Sequence, residues 1–255
     1  MTTALPSPFY LDWTFWAVAV AFLAIILSQL PPIHLLVRPR RLEVEVHSRI
    51  FITHHVGNPN MALVVGIRNT GGRELRVRGL SIDLSRDGKS VGTYPAQNYF
   101  ETASSQTSVL FVPLFLKPGE YWARSVSFLN FFDRATEKAY RENQSALNGD
   151  IQRKIAARPK DSNSEMVIAE DNLVFPFIKL FNERFIWEPG EYVIALSVAA
   201  DPGSASYLKQ YRFTLYESDT ADLRRHADDY KYGGGISFNM DRHVGVNIPL
   251  TQHVG

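Results

Sequence analysis

The sequence has no cysteine, which excludes disulfide bonds, thiolate metal ligands and cysteine nucleophiles. It also lacks a phosphate-binding glycine loop, a zinc-protease helix motif and a nucleophile elbow. Its 27 basic and 26 acidic residues leave a net charge of +1, without the basic cluster that binds nucleic acid. These absences predict a protein that has no catalytic site, metal or cofactor and that does not bind nucleic acid.

Two pairs of residues that contain histidine could carry chemistry, but a structural role is the simpler interpretation of both. His54 and His55 are adjacent in a predicted strand, so their side chains point to opposite faces and joint metal binding is not expected. Asp222 and His226 share one face of a predicted helix, where the pair could orient a general base. A solvated ion pair is the more common role of such a pair, and we expect no enzyme activity from it.

Charged side chains are also missing from residues 13–30, and every Lys and Arg of the chain follows this run. A helix of this length would rise about 27 Å, close to the thickness of the hydrocarbon core of a bilayer. Two tryptophans at one end and two prolines at the other mark its limits. We predict a short tail at residues 1–12 and a transmembrane helix with a juxtamembrane segment at residues 13–37.

The distribution of positive charge predicts the orientation of this span. The juxtamembrane basic residues Arg38, Arg40 and Arg41 follow the run closely, while no Lys or Arg precedes it. By the positive-inside rule, the N-terminus would lie outside and residues 38–255 would lie in the cytoplasm. The pattern therefore indicates a single-pass protein of the inner (plasma) membrane.

Small side chains recur along one side of the same predicted helix. Ala17, Ala21, Ala24 and Ser28 are three or four positions apart, which aligns them on one face. Such a face lets a second helix approach closely within a bilayer, although alanine is also common in spans that pack against nothing. Both interpretations stay open, and the first predicts self-association.

Residues 38–255 are enough for one domain with its own core, and their pattern is mainly that of β-strands. Leu42, Val44 and Val46 alternate with polar residues, which is typical of a strand with one buried face. Further segments follow the same pattern, and turn signals separate most of them. We predict a mainly β fold, an antiparallel β-sandwich.

Several of these segments resemble immunoglobulin-like sandwiches of bacterial membrane-anchored proteins. The resemblance rests on the run from Val64 to Gly72, on Leu80 to Leu84 with the turn Asp87-Gly88-Lys89, and on the Pro-Gly-Glu-Tyr segments that begin at Pro118 and Pro189. These motifs cover about a third of the chain and consist of turn chemistry. The resemblance implies an immunoglobulin-like fold, and because such folds host many roles it implies no activity.

Between the two Pro-Gly-Glu-Tyr segments, residues 130–185 are predicted to form a helical insertion. Its last part carries apolar side chains at helical spacing, namely Val174, Phe177, Ile178, Phe181 and Phe185. This face could pack over an open end of the sandwich, which is the simpler interpretation. Alternatively, it could be a docking face for a protein partner or for the membrane surface.

Residues 233–255 are predicted to form a hairpin-like tail on a flexible tether of three glycines. Apolar residues alternate before a predicted turn and again after it, at Ile236, Phe238 and Met240 and then at Val244, Val246 and Ile248. The hairpin could complete the protein's own sheet, which is the favoured interpretation. It could also add to the sheet edge of a partner.

Two functions from different classes are compatible with these patterns. The first, which we favour, is a noncatalytic membrane-anchored interaction or assembly module that binds a protein partner through the sandwich and its helical insertion. The second is a membrane effector of a defence or stress system, which oligomerises through its transmembrane helix and perturbs the bilayer on sensing a ligand. Both require a protein partner or self-association, and neither requires a cofactor.

Overall fold

The computed structural model describes residues 13–29, 39–102, 105, 107–158, 166–237 and 245–253. The α-helices in these ranges are α1 (Trp13–Gln29), α2 (Arg134–Ala156), α3 (Asp171–Arg184) and α4 (Glu217–Arg225), and 3₁₀ helices cover Gly203–Ala205 and His226–Tyr232. The strands are β1 (Leu42–His55), β2 (Asn58–Asn69), β3 (Leu75–Arg86), β4 (Lys89–Phe100), β5 (Val109–Leu110), β6 (Leu114–Leu116), β7 (Tyr121–Leu129), β8 (Gly190–Asp201), β9 (Tyr207–Leu215), β10 (Val246–Pro249) and β11 (Thr251–Gln252).

The strands form one antiparallel sheet that curls until its two edges nearly meet. Its order is β10-β1-β2-β7-β4-β3-β8-β9-β11, with β5 beside β4 and β6 beside β3. β4 belongs to both halves of the sheet, because residues 89–95 pair with β3 and residues 96–100 pair with β7. Residues 246–252 connect the halves on the other side, since β10 pairs with β1 and β11 pairs with β9.

The prediction of an immunoglobulin-like β-sandwich behind a membrane-spanning helix is therefore wrong. The protein is mainly antiparallel β, but its strands pair in one continuous order rather than in two stacked sheets. A sandwich and a curled sheet require the same alternation of buried and exposed residues along each strand. The alternation could predict the strands, but it could not distinguish between the two arrangements.

Helix α1 corresponds to the apolar N-terminal run, and the prediction that this run crosses a membrane is wrong. Among the described residues, no helix is both long enough and apolar enough for a membrane span. α1 has 17 residues. The predictions of a single-pass protein, of an inner-membrane location and of a cytoplasmic domain depended on that span and are wrong with it.

The main core fills the inside of the curled sheet. Alternate residues of neighbouring strands point inward, and Ile82 on β3 and Leu196 on β8 are completely buried. Trp187 enters this core just before β8, and its Nε1–H donates to the carbonyl of Thr53 (2.9 Å). Burial of one large apolar side chain contributes roughly 1.5–3 kcal/mol, so the inward faces of the strands stabilise the whole sheet.

A second core lies beneath a helical cap, which consists of α2, α3 and the 3₁₀ helix His226–Tyr232. Asp150 on α2 ties the first two together: its carboxylate accepts from the Nζ of Lys154 (2.7 Å) and from the N–H of Glu170 (3.2 Å) just before α3. The buried residues of this second core are Val56, Tyr140, Leu147, Ile151, Ala169, Val174, Phe177, Phe181, Tyr230 and Ile236. The cap covers the tip of the β1–β2 hairpin.

The C-terminal segment differs from the predicted hairpin. Phe238, Met240 and Val244 lie outside the described residues. Ile236 packs in the second core instead of beginning a strand. The strand at Val246–Pro249 pairs with β1, so it lies in the protein's own sheet.

Candidate functional site

The edge strands β1 and β9 face each other along a seam that is only partly filled. In its filled part, β10 pairs with residues 49–52 of β1. The N–H of Leu250 extends this pairing by donating to the carbonyl of Ser48 (2.8 Å). The chain then moves across to β9, where β11 pairs with residues 211–212. One short segment therefore closes this half of the seam by binding first one edge and then the other.

In the described part of the chain, the other half of the seam is open. The last pairing on the β9 side is the N–H of His253 with the carbonyl of Gln210 (3.0 Å). Beyond it, within the described part of the chain, no strand pairs with the seam-facing edge of residues 42–47 on β1 or of residues 207–209 on β9. Unpaired strand edges of this kind are templates for a further strand.

The direction of the backbone groups can be derived from one hydrogen bond. The N–H of Thr70, just after β2, donates to the carbonyl of Arg41 (3.0 Å), so the polar groups of Arg41 point toward β2. The N–H and C=O groups of successive residues point to opposite sides of a strand. The N–H and C=O groups of Leu42, Val44 and Val46 therefore point into the seam.

A groove of about 630 Å³ lies between the two open edges. Residues 42–44 form one wall, and residues 204–207 form the opposite wall. Its charged lining consists of three cations, Arg40, Arg41 and Lys209, and one carboxylate, Glu43. No described carboxylate forms an ion pair with any of the three cations. Among the described residues, the groove therefore combines an excess of positive charge with backbone groups that have no strand partner.

Of the three basic residues predicted to lie next to a membrane, two line the groove instead. Arg40 and Arg41 line the groove at the beginning of β1, and Arg38 lies outside the described residues. Lys209 joins them from β9, which sequence reasoning did not single out. No local signal could have identified it, because its position in the groove depends on the two sheet edges meeting.

The predicted small face of the N-terminal helix is exposed in α1. The side chains of Ala17, Ala21, Ala24 and Ser28 are all accessible, and the Oγ of Ser28 donates to the carbonyl of Ile25 (2.7 Å). Self-association through this face stays a prediction.

The predicted docking face of α3 points into the second core. Val174, Phe177 and Phe181 are buried, while Ile178 and Phe185 are half-buried. The ring of Phe181 lies 5.2 Å from the ring of His54 on β1, measured between centroids. The sheet and the rest of the cap cover Val174, Phe177 and Phe181, so these three side chains are not accessible to a partner in this conformation.

Histidines that are distant in the sequence meet beneath the cap. The rings of His54 on β1 and His226 on the 3₁₀ helix lie 5.5 Å apart. The Nδ1 of His54 accepts from the N–H of Gly57 (3.1 Å), so its Nε2 carries the proton and donates to the carbonyl of Leu223 (2.9 Å). Burial lowers the pKa of His54 to about 4. The hydrogen bond from Gly57 and the burial both favour the neutral ring.

This histidine cluster has the character of a core rather than of a reaction centre. Burial also lowers the pKa values of His55 and His226. Asp222, which could have oriented His226 as a base, instead forms an ion pair with Arg225 (3.1 Å). Within the described ranges, no group of three or more His, Asp or Glu side chains is arranged to hold a metal ion.

Comparison with known proteins finds no matching family model, no similar curated protein and no similar solved structure. The resemblance to immunoglobulin-like proteins therefore stays a prediction from local motifs.

Proposed function

We propose that this protein is a noncatalytic interaction module, which binds a protein partner by accepting an extended segment of it as a strand in the open half of the seam. The observation that carries this proposal is the row of N–H and C=O groups on Leu42, Val44 and Val46, which faces the groove and has no strand partner among the described residues. In strand addition, main-chain hydrogen bonds supply affinity and side-chain contacts supply specificity.

The filled half of the seam gives an example of the proposed contact. Residues 246–252 fit between the same two strands and bind both of them through backbone pairing. A partner segment in the open half would extend the same row of hydrogen bonds along β1.

The open edge of β1 is already ordered for such a contact. The side chains of Leu42 and Val44 are buried in the main core, and β2 pairs with the opposite edge of both residues. Little conformational entropy would be lost from this strand on binding, which favours affinity. Most of the conformational entropy lost on binding would come from the partner segment.

Random peptides of about ten residues, displayed on phage and selected on the full chain, test the proposal. The Val44→Pro variant removes an N–H that points into the seam and that makes no bond to β2, whereas Val44→Ile keeps it. We expect enriched peptides to bind Val44→Ile well and Val44→Pro at least about tenfold more weakly, as the loss of a main-chain hydrogen bond predicts.

Amide hydrogen exchange locates the contact. Bound peptides should slow the exchange of the amides of Leu42, Val44 and Val46, and thermal melts should show that both variants remain folded. A selection that enriches no peptide, or peptides that bind Val44→Pro as well as Val44→Ile, would show that the seam does not accept a strand.

A further inference from the structure

We infer that the partner segment runs antiparallel to β1 and carries carboxylate groups at its C-terminal end. This inference rests on the proposed function and adds the direction and the charge of the segment that the groove accepts.

The direction is derived from the filled half of the seam. β10 is antiparallel to β1 and β11 is antiparallel to β9, and both belong to one segment that runs in one direction. β1 and β9 are therefore parallel to each other. A partner segment antiparallel to both would form the more stable type of pairing on each side. It would pass Val46 first and Leu42 last.

The charge is derived from what lies at the end of that path. Arg40 and Arg41 directly precede Leu42, are exposed and line the groove, so they lie where the C-terminal residues of the segment would arrive. The guanidinium group of arginine presents paired donors that match a carboxylate. Lys209 adds a third cation on the β9 wall.

Other ligands of the groove fit these observations less well. A basic segment would meet three cations and a single carboxylate, Glu43, among the groove residues. A free inorganic anion could bind the cations, but it would leave the backbone groups of Val44 and Val46 unpaired. An extended segment with an acidic C-terminal end uses both the backbone edge and the charge.

Two synthetic peptides provide the test. Both contain the apolar part of the tightest peptide from the phage selection and both are capped at each terminus, but one has two glutamates at its C-terminal end and the other has them at its N-terminal end. We expect the first to bind the full chain at least about tenfold more tightly in fluorescence anisotropy at physiological salt.

The variant Arg40→Gln/Arg41→Gln should abolish this difference between the peptides. Its matched control, Lys89→Gln/Lys117→Gln, removes the same charge from two exposed lysines outside the groove and should retain the difference. Equal binding of the two peptides would overturn the inferred charge and direction but would leave strand addition intact. Orthophosphate alone displacing the first peptide from the chain at similar concentration would identify a simple anion site and would also overturn the inference.

Discussion

The two cores of this protein differ in composition and in how well their polar groups are satisfied. The main core is largely aliphatic and follows the alternation of the strands. The second core is rich in aromatic rings, and within the described part of the chain the hydroxyls of Tyr140 and Tyr230 and both ring nitrogens of His226 have no hydrogen-bond partner. An unsatisfied buried polar group costs about 1–3 kcal/mol. The comparison indicates that the sheet supplies most of the stability and that the cap is the weaker part.

Matched truncations in the two cores should give the largest effects. Phe128 on β7 and Phe177 on α3 are both buried, and replacing either by Ala should cost about 3–5 kcal/mol of local or global stability. We expect Phe128→Ala to lower the free energy of unfolding of the whole chain in urea. Phe177→Ala should instead open the cap, so that amides of α2 and α3 exchange faster while those of β3 and β8 stay protected.

The exposed Val64 on β2 is the control, because Val64→Ala should change stability by less than about 1 kcal/mol. If amides of the sheet and of the helices exchange in step in Phe177→Ala, the two cores form one cooperative unit and the comparison fails.

Acidification should weaken the second core selectively. The pKa of His54 in the folded protein is about 4, below its ordinary value of 6.5. The unfolded chain therefore binds the proton first as the pH falls, so stability is lost from about pH 6.5 down to about pH 4. His54 alone should lower the free energy of unfolding by roughly 2 kcal/mol between pH 7 and pH 5.

The groups around His54 set this response. Its ring is surrounded by Phe181 of α3, by Phe185 just after α3, by His226 of the 3₁₀ helix and by the neighbouring His55. None of them supplies a negative charge. Urea titrations at several pH values should show a flatter profile for His54→Gln. The exposed His47→Gln variant should keep the wild-type slope, and an unchanged slope in His54→Gln would assign the acid response to other groups.

The smallest expected effect is a difference in stability between two glycine variants, which tests how closely α3 approaches the tip of the β1–β2 hairpin. Gly57 and Gly88 both have left-handed backbone angles, with φ of 81° and 78°. A Cβ at Gly57 would lie 2.5 Å from the carbonyl oxygen of Phe181, while a Cβ at Gly88 would meet no atom within 4 Å.

Gly88→Ala should therefore cost about 1–2 kcal/mol through its backbone angle alone. Gly57→Ala should cost about 1 kcal/mol more, because α3 has to move away from the hairpin. Thermal melts of the two variants give the difference directly. Equal losses of stability in the two variants would mean that α3 moves away from the hairpin at no cost in free energy.

Local patterns in the sequence were sufficient to locate several strands but not their pairing. The alternation at Leu42, Val44 and Val46 lies in β1, since it reflects one buried face within a few residues. The sequence does not predict β4, because this strand contains Pro95 and few large apolar residues. It also crosses between the halves of the sheet without one fully buried face. The sheet order depends on contacts between distant residues, which no local pattern encodes.

In the candidate site, too, local patterns could indicate residues but not which of them come together. Arg40 and Arg41 could be singled out because positive charge is absent before them, but their role depends on an open strand edge that only the folded sheet defines. His54 and His226 meet although 172 positions, 226 minus 54, separate them. The span was predicted from the composition of the N-terminal run, but no helix of the described residues is both long enough and apolar enough for one.

Closure of the sheet by a late segment has a consequence for biosynthesis. Arg49 pairs with Pro249, which lies 200 positions later in the chain. On the ribosome, β1 therefore keeps an uncovered edge until residues 246–249 have emerged, and such edges recruit other nascent chains into aggregates. Production of this protein should consequently depend on chaperones that bind during translation, and more strongly so when many ribosomes translate one message.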